Sequence, residues 1–175
     1  TFDHLTMAGN LSLTANGIVL TNSSDMTFTN NQLTVSSDNG IYITEGSNSV
    51  FTNNVITGPK SELLYCSEAA NSTFSGNVLS GTGRGIYANT AAGSLFENNQ
   101  INTTSSLGIN ADNCDNCIFN SNVVVGPESN SNPFVQSQVV ALHSNDSDNL
   151  TVTNNNFDHI KRGMYLYGGS NHTID

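Results

Sequence analysis

The sequence has no tryptophan, three prolines, three cysteines and only four positively charged residues in 175. Each shortage excludes something. Four Lys and Arg against fourteen Asp and Glu leave a net charge of −10. Nucleic-acid binding needs clustered cations at the phosphates, so no nucleic-acid partner is expected, and an anionic membrane surface is disfavoured on the same ground. No apolar run approaches the roughly 18 residues that a membrane-spanning helix requires. No signal-peptide pattern opens the chain, so a mature, trimmed or excised form is expected. Cys66, Cys114 and Cys117 are too few for a disulfide framework. The "CDNC" at Cys114 has CxxC spacing but no second pair, so a local disulfide or simple packing is favoured over zinc. The four histidines are scattered and no His, Met or Cys cluster stands out, so no metal or cofactor is expected.

What fills the sequence instead is polar and uncharged. Charged residues make up 10%, while 28 Asn, 22 Ser and 18 Thr account for 68 positions. Asn is poor in helix interiors and Thr favours strands, which points to strands and turns. Mean hydropathy is −0.24, yet apolar residues recur too regularly for a disordered chain. Seven Asn-x-Ser/Thr sequons occur, about the number this composition gives by chance, and they establish no glycosylation.

The recurrence is a repeat. "FTNN" at Phe28 returns at Phe51, with looser copies "FSGN", "FENN", "FNSN" and "VTNN". The column runs Phe28, Phe51, Phe74, Phe96, Phe119, Val152 and Ile174, in steps of 23, 23, 22, 23, 33 and 22. Five residues after the first six come Leu33, Ile56, Leu79, Ile101, Val124 and Phe157. About ten residues before most of them come Ile18, Ile41, Leu64, Ile86, Ile109 and Met164, with Val140 a further candidate. Two residues on come Leu20, Ile43, Cys66, Ala88, Ala111, Leu142 and Leu166. Within each segment apolar and polar residues alternate, the period of a strand with one buried face. Such short segments cannot form hairpins in the same order in every unit, but each can pair with its own copy one unit later. The expected fold is therefore an all-β solenoid: a right-handed three-sheet parallel β-helix of about seven coils of roughly 23 residues.

In this fold the Phe residues stack inside. The motif-ending Asn31, Asn54, Asn77, Asn99, Asn122 and Asn155 form an Asn ladder and are expected to take left-handed turn angles. Gly17, Gly40, Gly85, Gly108 and Gly163 mark another corner, where Leu63 and Val139 stand in for glycine. The chain reads as a single domain, 1–175, with an irregular first coil at 1–16. The 33-residue step is a loop insertion at 126–138, where Pro127 and Pro133 fit a departure from the coil. Phe2 echoes Phe157.

The stretch "GIYITEGSNSVFTNNVITG" resembles the repeat of right-handed parallel β-helix proteins, a group that includes pectate-lyase-like enzymes and carbohydrate-binding or sugar-hydrolase β-helix domains. The resemblance covers roughly Gly17 onward. It implies the coil, and implies function only through sites grafted on it. In pectate-lyase-like members the substrate lies along one sheet.

The outward column of the first sheet reads Val19, Tyr42, Tyr65, Tyr87, Asn110, Ala141, Tyr165. Three consecutive Tyr make an aromatic stripe that can stack on sugar rings or on another subunit. Beside it lie Glu45 and Glu68 one coil apart, a spacing near that of a retaining glycosidase pair. On the other flank Glu62 and Arg84 can form an ion pair. Glu45, Glu68 and Arg84 are the weak catalytic candidates, and Tyr42, Tyr65, Tyr87, Glu62 and Tyr165 the glycan or interface candidates. The sequence favours an extracellular or cell-surface, non-enzymatic rod of a filament, adhesin or spike. Head-to-tail copies or further coils of the same chain would be its partners. The alternative is a carbohydrate-active or carbohydrate-binding β-helix acting on a polysaccharide.

Overall fold

The computed structural model describes residues 1–9, 17–36, 38–103, 107–127 and 139–175. Three parallel sheets wind around one axis, with eight strands in one and seven in each of the others. The first sheet holds Ile18–Leu20, Ile41–Ile43, Glu62–Ser67, Arg84–Asn89, Leu107–Asp112, Val140–Asn145 and Arg162–Tyr167. The second runs from Phe2–Asp3 to Thr173–Ile174 and carries the Phe column. The third runs from Thr6–Gly9 to Asn156–Asp158. Every strand pairs with its copies in the coils next to it, so the coil count is close to the expected seven. From Glu62 onward the first-sheet strands are six residues long, whereas those of the other two sheets have two to four. The first sheet therefore offers the broadest flat face.

The interior is a set of columns. Phe28, Phe51, Phe74, Phe96 and Phe119 are fully buried or nearly so. Consecutive rings lie 4.8–5.3 Å apart and within 12° of parallel, because the strand spacing of about 4.8 Å sets the stacking distance. The Asn ladder is formed along its whole length. Each side-chain Nδ2 donates to the Oδ1 of the next Asn at 2.9–3.0 Å and to a Phe carbonyl of the preceding coil at 2.8–3.0 Å. At the next corner Ser49, Ser72 and Ser94 form a shorter ladder through backbone N–H to Oγ bonds. Cys114 and Cys117 then take over that corner as a buried disulfide.

Several sequence expectations change in detail. The left-handed residue of each "FTNN" turn is the third, not the fourth: Asn30, Asn53, Gly76, Asn98, Ser121 and Asn154 have positive φ. The ladder Asn lies one step further on, with its side chain turned inward. Among the described residues, eleven of the nineteen non-glycine positions with positive φ are Asn, so these turns account for much of the Asn content. Phe2 pairs with Phe28 and stacks on it at 4.8 Å, whereas Phe157 belongs to the third sheet beside Val124. The first coil is thus regular in these two sheets. Phe2 looked out of step because its coil is three residues longer, an excess that falls between Gly9 and Gly17, where residues 10–16 lie outside the described set.

The largest correction concerns the coil after the insertion. Leu142 pairs with Ile109 and Met164, which makes His143, not Ala141, the outward residue between Asn110 and Tyr165. Ala141 instead joins the small-residue column of Gly108 and Gly163, in place of Val139. Packing decides this register. A Cβ on Gly108 would already come within 2.6 Å of the Ala141 carbonyl and 2.5 Å of a Val124 methyl. Leu63 stands in the same column and is fully buried. The insertion assigned to 126–138 lies mostly outside the described residues. Val125, paired with Asp158, and Val140, paired with Leu107 and Arg162, bracket it.

Candidate functional site

Along the first sheet the outward column is Val19, Tyr42, Tyr65, Tyr87, Asn110, His143 and Tyr165. Tyr42 and Tyr65 are stacked at 4.5 Å. Tyr87 meets Tyr65 edge-on at 5.3 Å, and its own face is taken by the Arg84 guanidinium 4.5 Å away. Arg84 pairs with Glu62 at 2.5 Å. Glu62 is only 6% exposed and also accepts the Ser61 hydroxyl at 2.6 Å. Burial of the Tyr65 phenol pushes its pKa above the ordinary value, with Tyr42 adding to the effect. Burial does the same to Tyr87, reinforced by the negative charge of Asp112. Both phenols stay protonated at neutral pH and can donate hydrogen bonds.

Above Tyr87 the column narrows to Asn110, which is buried although it points outward. Its Nδ2 donates to Asp112 Oδ2 at 3.1 Å, and its Oδ1 meets His143 Nδ1 at 2.5 Å. With the Asn110 amide oriented by Asp112, the shared proton belongs to His143 Nδ1. Nε2 is then an acceptor for a hydroxyl hydrogen bond. Tyr165 stacks on the His143 ring at 5.4 Å, and Arg162 lies 5.7 Å from the Tyr165 ring centre. The other oxygen of Asp112, Oδ1, is buried and has no hydrogen-bond donor among the described residues. His143 Nδ1 stands 3.7 Å from it. A buried acceptor left unpartnered is costly.

The structure therefore gathers Tyr42, Tyr65, Tyr87, Glu62 and Arg84 into one face, and His143 carries that face on to Tyr165. Glu45 and Glu68 follow the ends of their first-sheet strands. Both are exposed at left-handed corner positions leading toward the second sheet, with φ of 56° and 51°. In the orientation that satisfies both groups, the Asn22 amide donates to the two Glu45 oxygens at 2.6 and 3.1 Å. Sequence reasoning did not single out Asn110, Asp112 or His143. For His143 the available signal was the column of small residues, which fixes the register across the insertion.

An uninterrupted aromatic and polar column on the broad sheet of a three-sheet parallel β-helix defines a solenoid with one differentiated face. The right-handed β-helix family model matches residues 16–175, and the chain belongs to that family. No curated protein matches the sequence. Among solved structures, the fold is similar to that of the periplasmic alginate epimerase AlgG, at 15% identity and a TM-score of 0.40, covering 89% of this chain and 47% of that one. A single mutant of the same epimerase gives 13% identity and a TM-score of 0.45, covering 91% and 48%. The chain thus spans about half the length of these structures.

Proposed function

We propose that this protein is a carbohydrate-binding β-helix that lays an extended glycan along the outer face of its first sheet. The observation that carries the reading is the column from Tyr42 to Tyr165, where aromatic rings and oriented polar groups line one face of the sheet. Tyr ring edges give apolar surface to sugar C–H groups, and phenols, amides and carboxylates bond to sugar hydroxyls. One coil rise, about 4.8 Å, is comparable to one pyranose ring, so successive coils can serve successive sugars. Coil stacking, the basis for reading the chain as an inert rod, is common to every solenoid and does not explain Asn110, Asp112 and His143. The Cys114–Cys117 disulfide supports an extracellular or surface location, since disulfides persist in oxidising compartments.

The test is affinity electrophoresis or calorimetry against a panel of soluble polysaccharides. Wild type and the third-sheet control Val55→Ala bind equally, and Tyr65→Ala and Tyr87→Ala weaken binding about tenfold. Retention by both Tyr variants would refute the reading. A second reading, self-association by coil stacking, is favoured by the exposed Met164 and Ile174, at 36% and 53%, in columns that are buried in the coils below. Native mass spectrometry tests it, and a strictly monomeric chain discards it.

A further inference from the structure

We propose that Tyr42 and Tyr65 form an oxidative cross-linking site, where a peroxidase with hydrogen peroxide joins the two phenols into dityrosine and ties two neighbouring coils covalently. The proposal stands independently of the glycan reading. The two residues are register partners on parallel strands. Their ring centroids are 4.5 Å apart and the rings lie within 6° of parallel. Side chains related by one coil step present like edges to each other, so the carbons beside each hydroxyl face their counterparts in the next coil. Both rings lie on the outer face of the sheet and are half-buried, which leaves their outer edges open to an oxidant. Tyr87 is placed differently. It meets Tyr65 at 82°, and the Arg84 guanidinium covers one of its faces at 4.5 Å. Tyr42 and Tyr65 are the one parallel tyrosine stack among the described residues.

The peroxidase takes one hydrogen atom from each phenol O–H, and the pair of hydrogen atoms reduces one hydrogen peroxide to two waters. The spin of each phenoxyl radical is shared with the ring carbons beside the oxygen. One such carbon from each ring forms the new C–C bond, and each then passes its hydrogen as a proton to the oxygen of its own ring. Both phenols are restored and the chain has lost two hydrogens. Holding the rings together makes the coupling intramolecular, which favours it strongly over coupling between chains. The carbons have about 1 Å to close before reaching a reactive separation of roughly 3–3.5 Å, a tilt that half-exposed side chains can make. The Cys114–Cys117 bridge closes a corner within one coil. A Tyr42–Tyr65 bond instead closes a loop of one whole coil, and stabilises by restricting the unfolded chain as a disulfide does.

The experiment treats the whole chain, dilute, with a haem peroxidase and hydrogen peroxide. It reads dityrosine fluorescence, the intact mass of the monomer, and tryptic peptides after denaturation. Cleavage after Lys60 and Arg84 separates residue 42, in peptide 1–60, from residue 65, in peptide 61–84. The expected product is a monomer lighter by two hydrogen atoms, in which 1–60 is joined to 61–84, with its urea midpoint raised. Tyr42→Phe and Tyr65→Phe keep the stack but should each lower monomer cross-linking at least tenfold, whereas Tyr87→Phe should leave it unchanged. Cross-links found only between chains, or joining 61–84 to the peptide that carries Tyr87, would overturn the proposal. So would full cross-linking in Tyr42→Phe, or an unchanged urea midpoint in the cross-linked monomer.

Discussion

Replacing Asn77 by alanine removes a middle rung of the Asn ladder, and the structure sets the size of the effect. Asn77 is fully buried. Its Nδ2 donates to the Phe51 carbonyl at 2.8 Å and to Asn99 Oδ1 at 2.9 Å. Its Oδ1 accepts the Asn54 backbone N–H and the Asn54 side chain, both at 3.0 Å. Asn99 Oδ1 keeps the Asn77 backbone N–H as a donor, and Asn54 Nδ2 keeps the Phe28 carbonyl. The Asn54 N–H and the Phe51 carbonyl lose the bonds that Asn77 supplies. At roughly 1–3 kcal/mol for each of these two buried groups left unmatched, Asn77→Ala costs about 2–6 kcal/mol. Asn155 is only half-buried, so water replaces its bonds and Asn155→Ala costs about 1 kcal/mol or less. Urea unfolding followed by far-UV circular dichroism and tyrosine fluorescence measures both, and coincident transitions establish that the comparison is legitimate. Equal costs at the two positions, or a cost below about 1 kcal/mol for Asn77→Ala, would refute the ladder argument. Asn77→Asp adds a check with a sign. A buried carboxyl facing two carbonyl oxygens folds best protonated, so its folded pKa is raised. The variant is then more stable in acid and loses stability as pH rises through that folded value.

Three further outcomes follow from the same structure. Cys114→Ala with Cys117→Ser recreates the Ala91 and Ser94 pair of the coil below and should cost roughly 2 kcal/mol, the loop-closure value for so short a bridge; a loss of folding in the calorimeter would contradict this. Cys66 is buried and its thiol is pushed up to about 12 by burial, so iodoacetamide should leave the native chain unlabelled and modify one cysteine after denaturation without reductant. Tyr65 and Tyr87 have raised folded-state values, so the stability tied to their protonated phenols is complete below the free-tyrosine range and falls as pH rises through the folded values. Tyr87→Phe should therefore lessen alkaline destabilisation, which a pH series of melting temperatures reads directly.

The fold was legible because a solenoid writes its core as columns. Phe, Asn and aliphatic residues recur at one interval, and only same-register parallel pairing buries them all. The turn conformation was legible too, though it was assigned one residue late: the glycine of "FSGN", Gly76, occupies the left-handed position that Asn30 and Asn53 fill elsewhere. The site was harder to read. Val140 and Leu142 both suit an inward position, so apolar patterning alone left the coil after the insertion ambiguous by two residues. The close approach of the Ala141 carbonyl to Gly108 goes with the register that puts Ala141 in that column, and with that His143 turns outward. Asp112 lies in the same column as Ser67, Asn89 and Asn145, an ordinary polar series by sequence. What sets it apart is the buried oxygen, which pattern does not reveal.

Hydroxyl-radical footprinting with a bound polysaccharide tests the central claim most directly, because it reads Tyr and His side chains individually. The account predicts protection of Tyr42, Tyr65, Tyr87 and His143 on the first-sheet face, with His159 and His172 unchanged. Binding that leaves those four side chains as reactive as in the free protein would contradict it.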